Sequence, residues 1–409
     1  MPDLMGEGEA VLKLSFFEKK NSILISCAKE LPAYVRLELS RLGYPAGAET
    51  LASVETKGSL SDAMSLNLRL RTAGHVLYKI SEFTAADPNG LYREIGKIKW
   101  EEVLSPDEFL SVDCSVQNAS VNDSSFVNRK AKDAIVDRMV TKLGRRPDSG
   151  PEKKGAVIYV YWVDTLCRVY IDSSGESLQK RGYRKMPFMA PLQETLAAAI
   201  VLATRWDCRG NFINPMCGSG TIAIEAALMA LNRAPGLLRG NFGFMHVKGF
   251  PQEAWRELRS RTRAESAKAF PGRIIATDID RRAIEASYRN AKTAGVDHLI
   301  EFGVGDFRKT PVPTGDGVIV MNPEYGERMG EKKRLEDVYR GIGDFFKQKG
   351  EGYTGYVFTG NLDLAKKVGL KTSRKIKFFN SSIECRLLEY ELYKGSRKIV
   401  KDTESPTQC

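Results

Sequence analysis

Between Asn211 and Thr359, short apolar runs of strand length alternate with helix-length segments, and this alternation restricts the possible folds more than any other feature. The runs 211–213, 273–277, 301–304, 317–321 and 353–359 read as strands, and 221–231, 281–294 and 334–347 read as helices between them. Strands joined through helices run parallel, and a parallel sheet is covered on both faces. Asp280 stands where a helix cap belongs and Gly295 where that helix ends. Two last apolar stretches, 375–379 and 383–393, predict a closing hairpin.

The front half has a different grammar. A β-like run at Ser22–Cys27 precedes Leu31, Val35, Leu39 and Leu42 at helical spacing, with Gly43 as the stop. Ser65–Leu70 and Phe109–Val116 read as further strands. Ile135, Val136, Met139, Val140 and Leu143 share one face of a helix over 127–143, whose other face carries Lys130, Lys132, Arg138 and Lys142. The runs 156–163 and 167–171 complete an α+β unit that ends near residue 175. A helix over 188–206 leads into the second unit, and 396–409 reads as a polar, disordered tail. The Arg-rich excursion 232–272, with Arg233, Arg239, Arg256 and Arg259, reads as padding of the fold, with the lining of a substrate channel as the alternative.

Composition narrows the chemistry. Lys+Arg 62 against Asp+Glu 51 leaves a net charge of +11, which favours a polyanionic partner. Within residues 126–154 nine Lys/Arg face four Asp/Glu, Arg145 and Arg146 among them. The seven cysteines are scattered without a C-x-x-C pair, which points to a reducing compartment. Three distant histidines leave little material for a metal site or a Ser-His-Asp hydrolase. No basic leader precedes an apolar core, and no stretch approaches the ~18 apolar residues of a membrane span, so a cytoplasmic protein without membrane or metal is expected.

Four clusters carry the chemistry. Asn214-Pro215-Met216-Cys217-Gly218-Ser219-Gly220-Thr221 lies between a strand and a helix, where two glycines allow a sharp turn and close approach of a ligand. Gly218-x-Gly220-x-x-Ala223 also fits a dinucleotide fingerprint. That fingerprint needs its acidic residue ~20 positions on, whereas the next strand ends at Asp278, 58 residues after Gly220. Asp278 at a strand end can accept both hydroxyls of a ribose, since Asp280 is better placed as the helix cap. After the third strand, Asp306 can accept from an adenine amino group and Phe307 can pack on the ring.

The fourth cluster, Met321-Asn322-Pro323-Glu324-Tyr325-Gly326, directly follows the fourth strand. An exocyclic amine on a base is a poor nucleophile because its lone pair is delocalised. The Asn322 side-chain oxygen and the Pro323 carbonyl can accept its two N–H bonds and aim the lone pair, while Tyr325 stacks on the planar target. Positioning and electrostatics then suffice, with no metal or covalent nucleophile.

In this order the clusters resemble a class I S-adenosylmethionine methyltransferase with an Asn-Pro-Pro-Tyr-type site. More specifically, the words Ser177-Leu178-Gln179-Lys180-Arg181-Gly182-Tyr183-Arg184, Ala190-Pro191-Leu192-x-Glu194, Leu196-Ala197-Ala198-Ala199, Ile224-Glu225-Ala226-Ala227, Ala234-Pro235-Gly236 and Glu384-Cys385-Arg386-Leu387-Leu388 resemble THUMP-domain guanine-N2 methyltransferases. The bacterial branch that makes N2-methylguanosine in 23S ribosomal RNA is the most similar. The resemblance implies a Rossmann-like methyltransferase domain over 176–395, behind a ferredoxin-like and THUMP RNA-binding region over 1–175. It further implies S-adenosylmethionine as cofactor, held by Asn214, Cys217, Gly218, Gly220, Thr221, Asp278, Ile279, Asp306 and Phe307. RNA is the implied partner, met by Lys130, Lys132, Arg145, Arg146, Arg181 and Arg184. Asn322, Pro323 and Tyr325 would seat the guanine.

The sequence departs from that family twice. Asn214 stands where an Asp usually holds the donor's amino-acid end, and Glu324 stands where a second Pro is usual. These departures keep open a catalytically weakened RNA-binding or ribosome-assembly factor. A different target amine also stays open: transfer-RNA guanine, adenine N6 or a glutamine, the last disfavoured by the RNA-type front half. A nicotinamide-dependent oxidoreductase is disfavoured by the 58-residue gap.

Overall fold

The computed structural model describes residues 15–121, 123–186, 191–325 and 332–393. The front half runs β1 (Asn21–Cys27), α1 (Pro32–Arg41), β2 (Ser53–Gly58), α2 (Leu60–Arg69), β3 (Ala73–Thr84), α3 (Pro88–Lys97), α4 (Trp100–Val103), β4 (Leu110–Gln117), α5 (Ser124–Leu143), β5 (Ala156–Val163) and β6 (Leu166–Asp172). Its strands form one six-stranded sheet in the order β2-β1-β3-β6-β5-β4, antiparallel except where β4 runs parallel to β5.

Residues 65–70 are helical, contrary to the strand expected there. Leu66, Leu68 and Leu70 alternate as a strand would, but Ser59 and Asp62 form a reciprocal capping box that starts α2 at Leu60. Ser59 N–H donates to Asp62 Oδ2 (2.7 Å) and Asp62 N–H to Ser59 Oγ (3.1 Å). Because α2 is buried nearly all round, no polar stripe betrays its period. Strands β2 and β3 and helices α3 and α4 also went unforeseen. In α5, Val127, Ala131, Ala134, Ile135, Val136 and Met139 face the core, while Val140 and Leu143 are exposed rather than buried.

The second half continues α6 (Glu194–Ala203), β7 (Asn211–Pro215), α7 (Thr221–Ala230), α8 (Gln252–Ala264), β8 (Ile274–Asp278), α9 (Arg281–Ala294), β9 (Ile300–Val304), β10 (Gly317–Met321), α10 (Lys332–Lys349), β11 (Tyr353–Thr359), α11 (Leu362–Lys366), β12 (Arg374–Asn380) and β13 (Ile383–Glu391). Helix α6 begins at Glu194, later than expected, and the start of the predicted segment falls partly outside the described residues, as does the C-terminal tail. The seven-stranded sheet has the order β12-β13-β11-β10-β7-β8-β9. The five strands from β11 to the β9 edge are parallel, and β13 returns antiparallel beside β11 with β12 paired to it. No described helix is long and apolar enough to cross a membrane.

The excursion 232–272 does not merely pad the fold; it joins the halves. Phe242, Phe244, Val247 and Trp255 belong to the same apolar core as Ile23, Leu66 and Trp162 of the front half. The Phe244 and Trp255 rings meet edge to face at 4.9 Å. Gly236 lies so close to α2 that a Cβ there would come within 2.6 Å of Asn67 O and Leu68 Cα. Arg239 donates to the carbonyls of Ser174, Glu176 and Ser177, the segment that leads out of the front sheet.

Charged side chains reinforce this junction from within. Arg181 is 2% exposed, and its Nε donates to Glu225 Oε1 of α7 at 2.8 Å while a second nitrogen donates to Arg71 O. Tyr183 Oη donates to the same Glu225 oxygen (3.1 Å). Arg184 binds Glu194 Oε1 (3.2 Å) and Leu192 O (2.6 Å). The assignment of Arg181 and Arg184 to RNA is therefore corrected: both are committed to internal partners, and Arg181 has no path to a polyanion.

Removing one member of a buried ion pair strands the other in an apolar interior, at a cost of about 3–5 kcal/mol. Arg181→Met should therefore lower the thermal unfolding temperature sharply, and Arg181→Met with Glu225→Leu should regain most of the loss. A single variant as stable as the parent chain would remove this pair from the junction.

Candidate active site

The order of the parallel strands reverses between β7 and β10, from which chain connections depart in opposite directions. In open α/β sheets the crevice outside the carboxyl ends of two such strands is where ligands bind. Asn214, near the end of β7, is 0% exposed, and its side-chain amide donates to Val320 O of β10 at 2.8 Å. This bond ties the two strands together at the mouth of the crevice. No donor reaches Asn214 Oδ1 or Asn322 Oδ1 among the described residues, although both oxygens are buried. A buried acceptor without a donor costs roughly 1–3 kcal/mol, and a water or a ligand that donates would relieve both.

Beyond Asn214 the chain turns tightly into α7. Gly218 (φ +56°) and Gly220 (φ +82°) both take the left-handed conformation. A Cβ on Gly220 would lie 2.0 Å from Ser287 Oγ of α9, whereas nothing stands within 4 Å of where a Cβ on Gly218 would be. The turn is thus closed against α9 and open at Gly218. Asp278, ending β8, fixes it from the side: Gly218 N–H donates to Asp278 Oδ2 (2.9 Å), and Asp280 N–H to Asp278 Oδ1 (3.0 Å). Each carboxylate oxygen keeps a further lone pair for a hydroxyl. Asp280 caps α9 through Arg282 N–H (2.8 Å), the cap expected of it.

Cys217 donates its backbone N–H to Thr277 O, and burial, followed by the Asp278 charge, holds its thiol well above the usual range. A neutral thiol lines the turn; it is not a nucleophile. Thr221 opens α7 and is buried. Ile279 is 74% exposed beside Asp278, and Val304 is half-exposed at the end of the neighbouring strand β9, so apolar surface flanks the carboxylate.

Asp306 accepts from Arg308 N–H (2.9 Å) and pairs with its guanidinium (2.9 Å). Phe307 is corrected as an adenine contact: it is 8% exposed, packs in the core against Phe345 and has the Arg308 guanidinium 4.6 Å over its ring.

Beyond β10, Pro323 is buried and Asn322 half-buried. The Glu324 carboxylate points to Arg334 of α10 (2.6 Å) and is exposed. Tyr325 is half-buried, its ring edge-on to Phe358 and so close to Gly360 that a Cβ there would be 2.9 Å away. Asn380 of β12 donates to Tyr325 Oη at 2.8 Å, and burial pushes the phenol up to about 12. Tyr325 is thus anchored to the closing hairpin.

Sequence reasoning missed Ser287 and Asn290 on the buried face of α9. Asn290 donates to Ser219 O (3.2 Å) and Met186 O (3.0 Å) and accepts from Lys185 and Met186 N–H, binding the glycine turn to the segment that crosses between the halves. The available signal was two polar residues among Ala283, Ala286, Ala291 and Ala294 on an otherwise small, apolar face. The four remaining RNA candidates lie on the front half: Lys130 over the Tyr92 ring (5.1 Å), Lys132 beside Asp133, Arg145 paired with Asp107, and Arg146 exposed. No group of three or more His, Cys, Asp or Glu among the described residues is arranged to hold a metal.

A parallel sheet with a reversed last strand, a glycine turn, a strand-end acid and buried acceptors at the switch point define a class I methyltransferase fold. They fit a nucleoside with a cationic amino-acid tail, the chemistry of S-adenosylmethionine. The family described as RMKL-like, methyltransferase domain matches residues 181–389, the RlmL ferredoxin-like domain matches 22–77 and the THUMP domain matches 85–172. The chain belongs to this family of S-adenosylmethionine-dependent methyltransferases.

"Putative RNA methyltransferase slr0064" of Synechocystis sp. is 35% identical over 366 residues, covering 90% of this chain and 95% of that one. "Ribosomal RNA large subunit methyltransferase K/L" of Syntrophotalea carbinolica is 37% identical over 365 residues, covering 87% of this chain and 51% of its own. The chain thus spans about half the length of the K/L relatives it matches. The crystal structure titled "SMU.472, a putative methyltransferase complexed with SAH" superposes with a TM-score of 0.83 at 28% identity, covering 93% of this chain and 100% of that one.

Gly220→Ala combines left-handed strain of about 1 kcal/mol with an overpacking cost of about 1–3 kcal/mol. Calorimetric titration with S-adenosylmethionine should show at least a tenfold loss of affinity, partly restored when Ser287→Gly is added. Unchanged binding in the single variant would show that the turn does not hold the donor.

Proposed function

We propose that the chain transfers a methyl group from S-adenosylmethionine to the exocyclic N2 amine of a guanine in structured RNA, with 23S ribosomal RNA as the substrate. The observation that carries this reading is the buried Asn322 Oδ1 just past β10, without a donor among the described residues and across the switch point from the glycine turn and Asp278.

In this reading Asp278 receives the donor's ribose diol. Gly218, Gly220 and Cys217 frame its methionine end, with Asn214 Oδ1 as a neutral acceptor toward the ammonium and Thr221 at the start of α7. Ile279 and Asp306 take the adenine. When bound, the donor supplies an electrophilic methyl on a cationic sulfur. Asn322 Oδ1 and Pro323 O accept the two N–H bonds of the target amine, which restores lone-pair density on nitrogen and aims it. Tyr325, its hydroxyl held by Asn380, presents a fixed ring face to a base turned out of its stack.

RNA as substrate is supported by the THUMP match, by the names of the relatives and by the cations Lys130, Lys132, Arg145 and Arg146 on the front half. The choice of guanine N2 rests on the resemblance of residues 177–388 to guanine-N2 methyltransferases. Glu324 does not argue for a lost activity, since Arg334 draws its charge away from Asn322.

Asn322→Ala should lower methyl transfer to unmodified 23S ribosomal RNA by roughly 10²–10³-fold, while calorimetry finds donor affinity within about twofold of the parent. Retained transfer would remove Asn322 from the chemistry. Mass spectrometry of the digested product reads the base directly, and methyladenosine in place of N2-methylguanosine would reassign the substrate.

A further inference from the structure

The hairpin that anchors Tyr325 carries a second feature that methyl transfer does not use. Phe379, near the end of β12, is neither buried nor fully exposed. Two ammonium groups lie over its ring: Lys377 Nζ at 5.1 Å from the centroid, and Lys29 Nζ at 5.9 Å. Lys377 comes from the same strand, but Lys29 comes from the front half, in the loop between β1 and α1. The next residue along β12 is Asn380, whose amide holds Tyr325 Oη. Across the turn, Ile383 is half-exposed and flanks Gly360 on the same side as the Tyr325 ring. An aromatic face with cations beside it and an exposed aliphatic next to it therefore stands immediately beside the end of the catalytic loop.

The alternative occupants of these cations are visible. Lys377 bridges Glu30 and Glu384 at 3.3 Å each, and Glu384 also pairs with Arg386 at 2.7 Å. Lys29 forms no ion pair among the described residues and is exposed. Lys29, Lys377 and Arg386 thus outweigh Glu30 and Glu384, and the surplus cation is the one contributed by the front half. Glu30 holds a left-handed backbone (φ +68°), unusual for a residue with a Cβ, and its carboxylate meets Lys377. The loop that bears Lys29 is therefore braced against the hairpin through Lys377, beside the same ring.

Flat aromatic faces next to cations are what single-stranded nucleic acid binds: the base stacks on the ring and the phosphate meets the ammonium. A base turned out of structured RNA leaves neighbours unstacked on either side, and those neighbours need a surface. We propose that Phe379, bracketed by Lys29 and Lys377, is a second nucleotide subsite that stacks a base flanking the methylation target. It rests on the reading of the adjacent cleft as an RNA methylation site. The hairpin then has two roles, holding Tyr325 through Asn380 and gripping the neighbouring nucleotide through Phe379. Because Lys29 belongs to the front half, the subsite is completed only when both halves are in place.

The test uses the full chain and two RNA probes, unmodified 23S ribosomal RNA and a fluorescent single-stranded decanucleotide. Phe379→Ala should raise KM for ribosomal RNA by about tenfold, leave kcat within about twofold and leave S-adenosylmethionine affinity unchanged. Phe379→Trp should restore KM, which a merely structural loss would not do. Lys29→Ala should reduce the slope of log affinity for the decanucleotide against log salt by about one. Unchanged RNA affinity in Phe379→Ala, or a loss shared equally by donor binding, overturns the subsite. A parent chain that binds the decanucleotide but methylates no RNA removes the methylation reading alone. In that case lowered decanucleotide affinity in Phe379→Ala still supports the subsite, and unchanged affinity still overturns it. A parent chain that binds neither probe overturns both.

Discussion

At the point where the parallel sheet reverses its strand order, β7 and β10 lie side by side, yet the connections that leave them diverge, and a crevice opens at their carboxyl ends. The interstrand bond from Asn214 to Val320 O spans the two strands there. The rest of the site is arranged around it. The glycine turn leaves one side, the Asn322 loop leaves the other, and Asp278 on the next strand pins the turn by the Gly218 N–H. A fixed strand pair at this position matters on the proposed reading, in which a methyl passes between two ligands bound on opposite sides. Effective alignment of reacting atoms is worth several kcal/mol and is lost by displacements of about 1 Å.

On the proposed reading, holding RNA against that crevice is a problem of rigid connection between the halves. Two kinds of interaction supply it, and they act differently. The excursion 232–272 contributes apolar burial, with Phe242, Phe244 and Trp255 entering the front-half core. The polar junction contributes orientation: Arg181, Tyr183 and Glu225 are bound to one another in an interior with few alternatives. Glu225 sits on α7, the helix that starts at the glycine turn, so the register of the donor turn and the placement of the front half share one side chain. A buried ionic cluster is a poor source of net stability but a demanding geometric constraint, which suits a two-part enzyme.

The catalytic half was readable because its signals are local. Strand-length apolar runs, Asp280 as a cap, Gly295 as a stop and Gly317–Met321 as a buried parallel strand each carry their own physics, and each lies where the sequence put it. The front half was harder. Residues 65–70 alternate like a strand, yet the capping box at Ser59 and Asp62 wins because α2 is enclosed and its period is hidden. Arg181 illustrates a second limit. A basic residue reads as surface charge unless its carboxylate partner is known, and Glu225 is 44 residues away. Phe307 fails for a similar reason, since whether an aromatic ring faces a ligand or Phe345 depends on a helix outside its own neighbourhood.

The departures at Asn214 and Glu324 are best weighed by what the substituted groups would do in this setting. An ionised Asp at position 214, fully buried, would set a carboxylate against Val320 O, an acceptor facing an acceptor, and the interstrand bond would be lost. Asn keeps that bond through its amide and still directs an unpaired oxygen at the crevice, so one acceptor survives without the charge. At position 324 the carboxylate is exposed and paired with Arg334 at the start of α10, so its charge is screened by solvent and by its partner. On the proposed reading both substitutions preserve the acceptors it needs: Asn214 Oδ1 for the donor's tail, and Asn322 Oδ1 with Pro323 O for the target amine. A relic would be free to fill or hydrogen-bond such oxygens, because an unpaired buried acceptor is costly when no ligand rewards it. Among the described residues both side-chain oxygens are buried without a donor, a state that suits the proposed reading better than a filled relic.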